Sequence, residues 1–311
     1  MNIPHLLQQL HGGEARGVAR AISLVEDQLP GAEQLLAGLD RQRIEEGLIL
    51  GLTGPPGAGK STLTGELVGA LRRQDIRVGI IAIDPSSPIS GGALLGDRIR
   101  MMQHALDSEV VIRSMATRGR LGGLCGSAGA AARIMAASGC RVVILETVGI
   151  GQSEMDIVRL ADLTALVLAP GFGDDIQAMK AGILEVADLL VVNKADQAGA
   201  RRLQLDMGTV FSEPGDREKR ICATVASEGT GIETLMERIF FFEQLYRRDG
   251  RLQERRRRSF TLETLDWATE MVKARLQEKM KTTRLESVEP RQAALELVRG
   301  LVNENVHYKK I

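Results

Sequence analysis

Residues 54–61 read Gly54-Pro55-Pro56-Gly57-Ala58-Gly59-Lys60-Ser61, and this octet decides the fold. It has the spacing G-x-x-x-x-G-K-[ST], follows the apolar run 47–53 and opens a helical stretch. That is the strand–loop–helix setting of a phosphate-binding loop. Its glycines let the backbone wrap tightly, so that N–H groups point inward at phosphates. Lys60 is expected to neutralise the β- and γ-phosphates, and the Ser61 hydroxyl to ligate Mg²⁺. The helix that begins with Ser61 and Thr62 aims its positive end at the same anion. Residues 54–62 are therefore the expected triphosphate cradle.

Outward from this loop, short apolar runs alternate with longer helical stretches. Strands are predicted at 47–53, 77–83, 109–114, 141–146, 164–169, 187–193 and 220–225. Several are apolar on consecutive residues, as strands buried on both faces should be. Alternation with helices implies right-handed βαβ units: an α/β fold with a mostly parallel sheet flanked by helices. Ligands in such a sheet sit at the carboxyl ends of the strands, where the motifs fall.

Three segments follow from the pattern: an N-terminal helical extension (1–45), the phosphate-loop domain (46–242) and a C-terminal helical arm (243–311). In the first, Val18, Ile22, Val25 and Leu29 share one helix face until Pro30-Gly31 interrupts it. In the last, a long helix is expected through 244–258. The basic run 255–258 reads either as a solvated helix face or hinge, or as a surface for an acidic protein partner. Leu265, Ala268, Val272 and Leu276 form a further apolar stripe, and Pro290 suits the first turn of a final helix carrying Ala294, Leu297, Val298 and Leu301. So few helices bury little surface alone, and a dimerisation arm is expected.

Composition narrows the partners. Among 311 residues, 40 basic and 40 acidic side chains cancel, and aromatics make up 3%. Neither nucleic acid nor a membrane surface is indicated. Cys125, Cys140 and Cys222 are far apart and read as reduced structural cysteines of a cytoplasmic protein. No secretory signal or membrane span is legible.

Asn193-Lys194-Ala195-Asp196 follows the strand expected at 187–193. A carboxylate such as Asp196 accepts from both the N1–H and N2–H₂ donors of guanine, a pair that adenine lacks. Asn193 can bond N7 and tie neighbouring loops, while the stem of Lys194 covers the ring. The Ala226 N–H, after Thr224 and Val225, is expected at guanine O6. GTP and GDP are the expected ligands. Glu146-Thr147-Val148-Gly149 stands where GTPases place D-x-x-G. Glu146 is expected to hold a metal-bound water, and the Gly149 N–H to contact the γ-phosphate. Asp84 and Asp97 flank a Gly/Pro-rich stretch and are natural Mg²⁺ partners; the γ-phosphate can order such a stretch as a switch.

Taken in order, the phosphate loop, I-D-P-S-S (83–87), G-D-R-I-R-M (96–101), T-R-G-x-x-G-G (117–123), E-T-V-G-x-G-Q-S-E (146–154) and N-K-x-D (193–196) resemble the MeaB/MMAA family of P-loop GTPases. The older label of that family is ArgK, or LAO/AO transport ATPase. The resemblance extends to R-x-x-x-R-A-I-S-L-V-E at 16–26 and to the helical tail. It implies a SIMIBI-class P-loop fold with helical extensions at both ends. It also implies a homodimeric GTPase chaperone of an adenosylcobalamin-dependent acyl-CoA mutase, typically methylmalonyl-CoA mutase. By motif match, Ser61, Asp84, Asp97 and Glu146 take the metal roles, and the stretch 170–180 matches a switch that senses the mutase.

Ile150 follows Gly149 where Ras-like enzymes carry a water-positioning Gln, and Gln152 comes later. Slow intrinsic hydrolysis is therefore expected, stimulated by the partner, with Arg98, Arg118 and Lys180 as candidate cations. Lys180 has Asp174 and Asp175 nearby as alternative surface partners. The D-x-H-x-x-G signature of a cobalamin-binding domain does not occur. Two other readings stay open: a kinase linked to basic amino acid uptake, and a scaffold that uses nucleotide only for assembly.

Overall fold

Leu48, Leu50 and Leu52 lie on one side of strand β1 (Leu48–Thr53), and Ile49 and Gly51 on the other, all but Ile49 fully buried. A strand buried on both faces belongs at the middle of a covered parallel sheet. The structure, a computed structural model, places it there. It describes residues 1–84, 104, 106–116, 123–147, 153–171, 182–208, 220–282 and 289–307. Expectations for Asp97, Arg98, Arg118, Gly149, Gln152 and Lys180 lie outside those residues.

The other strands are β2 (Val78–Asp84), β3 (Val110–Ala116), β4 (Val142–Thr147), β5 (Leu163–Leu168), β6 (Leu189–Val192) and β7 (Ile221–Ala223). Their ends differ from the sequence expectation by at most two residues. The order is β3-β2-β4-β1-β5-β6-β7, and every pairing is parallel. In register, Leu52 faces Glu146 across β1–β4, and Ala82 faces Glu146 across β2–β4.

Period-two alternation divides the sheet into two faces. Leu48, Leu50, Leu52, Ile80, Ile144, Val167 and Val191 pack with Leu63 and Leu67 of α5 (Lys60–Arg73) and with Leu235, Ile239 and Phe242 of Ile232–Arg248. On the reverse face, Ile81, Ile83, Val143 and Leu145 meet Ala131, Ile134 and Met135 of α6 (Gly123–Ala137). There Gly51 lets α7 (Ser153–Leu160) approach, since a Cβ would stand 2.5 Å from Ile157. Beyond α7, α8 (Ile183–Val186) and α9 (Ala200–Gly208) cover Leu166, Leu168, Leu190 and Val192. The helix Ile232–Arg248 is α10.

The first residues form α1 (Ile3–His11), α2 (Ala15–Glu26), α3 (Ala32–Ala37) and α4 (Arg41–Glu46). Leu6, Leu10, Val18, Ile22 and Val25 are buried in the same cluster as Ile81 and Val143, so these helices complete one layer of the domain. Leu29 departs from the expected stripe and is 46% exposed. The helix stops at Glu26 because Gln28 turns to φ 51°, and the Leu29 N–H returns to the Leu24 carbonyl.

The helix expected through 244–258 is broken at Asp249-Gly250, where Gly250 takes φ 83°. After it, α11 runs Arg251–Thr282, and α12 runs Pro290–His307 with Pro290 at its first position. The chain falls into two compact units, 1–260 and 261–311. In the second unit Ala293 and Leu297 are buried, while Leu265, Val272 and Val298 are 59%, 53% and 46% exposed.

Arg255 and Arg256 are not a solvated face. Arg255 grips Asp188 at the start of β6 (Nη1–Oδ2 2.6 Å, Nη2–Oδ1 2.8 Å). Arg256 grips Asp162 at the start of β5 and bonds the Gly47 carbonyl. Burial works against both guanidinium charges, but the aspartates outweigh it and raise both pKa values. Tyr246 donates to Asp188 Oδ1 at 2.8 Å. Burial first, and the Asp188 charge second, push that phenol up.

Candidate nucleotide site

The phosphate loop leaves β1 at Gly54 (φ 140°) and closes at Gly59 (φ 92°), both left-handed or strained for any other residue. Close approach adds to that demand. A Cβ on Gly54 would lie 2.0 Å from the Val167 carbonyl oxygen, and one on Gly59 would lie 2.3 Å from Asn193 Nδ2. Gly59 is the N-cap of α5 and brings no capping side chain, and the first turn carries no acid. The helix thus offers its first N–H groups and positive end to a phosphate. Lys60 is 6% exposed, and its Nζ donates to the carbonyls of Gly54 (2.6 Å) and Pro55 (3.1 Å). The ammonium is held over the loop by the loop itself.

Glu146 reaches this loop from β4 and is fully buried. Ser61 Oγ donates to its Oε1 at 2.5 Å, and Thr64 Oγ1 donates to its Oε2 at 2.7 Å. Asp84 is the last residue of β2, beside β4 in the sheet. The fold implies Mg²⁺ here, and the donors fit it. A hydroxyl and a carboxylate oxygen in contact are hard ligands of the kind Mg²⁺ takes. Among the described residues no group of three or more His, Cys, Asp or Glu is gathered.

The N-K-x-D loop is fastened to the phosphate loop. Asn193, 2% exposed, donates from Nδ2 to the Ala58 carbonyl at 2.9 Å. Its Oδ1 accepts from Thr224 Oγ1 and from the Ala226 N–H, both at 3.1 Å. The Ala226 N–H, expected at guanine O6, is thus engaged by Asn193: a buried amide oxygen needs donors, and Thr224 and Ala226 both supply one. Lys194 takes a left-handed φ of 55°, and Asp196 is exposed.

The structure brings Gly54, Pro55, Pro56, Gly57, Ala58, Gly59, Lys60, Ser61, Thr62, Glu146, Asn193, Lys194, Asp196 and Ala226 to the carboxyl edge of one sheet. Sequence reasoning missed Thr64 and the bond made by Thr224. The signal for Thr64 was its spacing of three from Ser61, which puts both hydroxyls on one helix face.

An open parallel sheet with a phosphate loop after its central strand, an acid at the end of β4 and an N-K-x-D loop after β6 defines a P-loop GTPase of the SIMIBI class. The family described as methylmalonyl Co-A mutase-associated GTPase MeaB matches residues 18–284. The chain belongs to that family. It is 35% identical over 271 residues to GTPase ArgK of Escherichia coli (84% of this chain, 81% of that protein). It is 33% identical over 240 residues to the mitochondrial methylmalonic aciduria type A homolog of Mus musculus (75% and 57%). The crystal structure of a LAO/AO transport system kinase superposes with a TM-score of 0.68 at 25% identity, covering 96% of this chain and 97% of that one.

Proposed function

We propose that this GTPase is a chaperone that gates adenosylcobalamin loading and protects or reactivates a cobalamin-dependent acyl-CoA mutase. The match of residues 18–284 to a mutase-associated GTPase family carries the reading. In it, Asp196 selects guanine, Lys60 and the N–H groups of residues 54–62 hold the phosphates, and water attacks the γ-phosphate in line. Ser61, Asp84, Asp97 and Glu146 would hold Mg²⁺, which would offset the negative charge of the phosphates. Gly149, Gln152 and Lys180 complete the catalytic set. Hydrolysis serves as a timer: the γ-phosphate favours one switch state, and the mutase reads it. By linkage, a mutase that favours the GTP form is itself bound better in that form. The protein acts in the cytoplasm as a homodimer, and the exposed apolar positions of 261–311 supply the mutual surface.

The experiment is GTP turnover with and without a purified acyl-CoA mutase from the same organism, with ATP and Lys60→Ala as controls. Stimulation of about tenfold or more, confined to GTP and lost in the variant, is expected for a partner-supplied group. No stimulation by any such mutase removes the chaperone reading. Phosphoryl transfer to a basic-amino-acid-binding protein would favour the transport kinase instead.

A further inference from the structure

A glutamate where GTPases carry an aspartate raises a question of control. The arm is one rotatable bond longer, and freezing that bond opposes a single carboxylate position. Glu146 nevertheless has both oxygens engaged from one helix face: Ser61 takes Oε1 and Thr64 takes Oε2. Thr64 is fully buried, one turn beyond Ser61 on α5. In mid-helix, a threonine hydroxyl ordinarily returns its proton to the carbonyl four residues back. Thr64 gives it instead to a carboxylate 82 residues away in the chain. Threonine in a helix divides between two χ1 rotamers, and here it holds the one that reaches Glu146.

We propose that Thr64 is a positioning residue for GTP hydrolysis, fixing the plane of the Glu146 carboxylate so that its other oxygen stays beside Ser61. With Oε2 held by Thr64, the remaining freedom of the longer arm is rotation about a tethered end. Thr64 acts through Glu146, to which its hydroxyl is bonded. The inference rests on the nucleotide-site reading given above.

The test uses release of fluorescently labelled GDP from the full chain, titrated with Mg²⁺, for the parent, Thr64→Val and Thr64→Ser. Valine keeps the shape and removes the donor; serine restores it. The parent and Thr64→Val are expected to release GDP equally in metal-free buffer. Thr64→Val should then need about 10–100-fold more Mg²⁺ for the same slowing, as loss of a partner of a metal ligand does. Thr64→Ser should follow the parent. Superposable Mg²⁺ titrations for parent and Thr64→Val would overturn the proposal, as would a serine variant as impaired as valine. Faster metal-free release by Thr64→Val alone would make the role one of packing and overturn it too. A parent indifferent to Mg²⁺ would remove the metal site, and the Thr64 assignment with it.

Discussion

The guanidinium of Arg256 lies edge-on to the carboxylate of Asp162, Nε to Oδ1 at 2.8 Å and Nη2 to Oδ2 at 2.7 Å. Asp162 is 1% exposed and also accepts the Ile49 N–H, so this pair ties α11 to the starts of β5 and β1. Removing one partner of a buried pair leaves the other charge uncompensated. Arg256→Ala should destabilise the domain by about 3 kcal/mol. Arg256→Lys should recover only part of that, because an ammonium cannot reproduce the two-pronged contact. Urea midpoints at constant slope measure both; unchanged midpoints would refute the anchor.

Asp196 is exposed at the mouth of the base loop and is the expected reader of the guanine donors. Asp196→Asn replaces one acceptor oxygen by a donor. GTP affinity should fall about 10–100-fold, the worth of hydrogen bonds to a charged group. Affinity for xanthosine triphosphate, which carries an oxygen at that edge, should rise. Competition against labelled GDP decides; equal losses for both bases would contradict the role.

Asn193→Ala should act differently. It removes the bonds to Ala58, Thr224 and Ala226 together. GTP, GDP and xanthosine triphosphate should all weaken, because the damage is to the framework and not to the choice of base. A loss confined to guanine nucleotides would show that Asn193 reads the base.

Asp107 accepts from Arg72 Nε and from the Glu109 N–H, each at 2.9 Å. The Arg72 hydrogen bond first, and the Glu109 N–H second, hold its carboxyl below the ordinary 3.8. A depressed carboxylate stabilises the fold above its unfolded value and ceases to do so as pH falls through the folded one. The stability gap between parent and Asp107→Asn should therefore be full above pH 3.8 and shrink below it. Urea midpoints across that range measure it; a gap that widens in acid would have the wrong sign.

Burial pushes the Cys222 thiol up to about 11 and raises that of Cys140 as well. Neither forms appreciable thiolate near neutrality, and both are buried. Iodoacetamide at about pH 8 should leave both peptides unmodified in the folded chain and label them in urea. Mass spectrometry of the digests reports it.

The seven strands were legible because each is a short apolar run, and the site because its motifs are contiguous. What sequence could not give was contact across distance. Arg255 and Arg256 read as part of a basic run, yet their partners Asp188 and Asp162 lie 67 and 94 residues away. Thr64 drew no notice in the sequence, because its partner Glu146 is brought to it only by β4. The stripe through Leu29 failed because Gln28 adopts a left-handed turn that no periodicity signals.

The bond from Asn193 to Ala58 has a consequence for exchange. It clips the N-K-x-D loop to the phosphate loop, and it forms within the chain itself. Loading then involves little ordering of either loop. Where the two loops hold the two ends of a nucleotide, opening this bond loosens both at once. A factor that prised Asn193 from Ala58 would eject GDP without touching its phosphates.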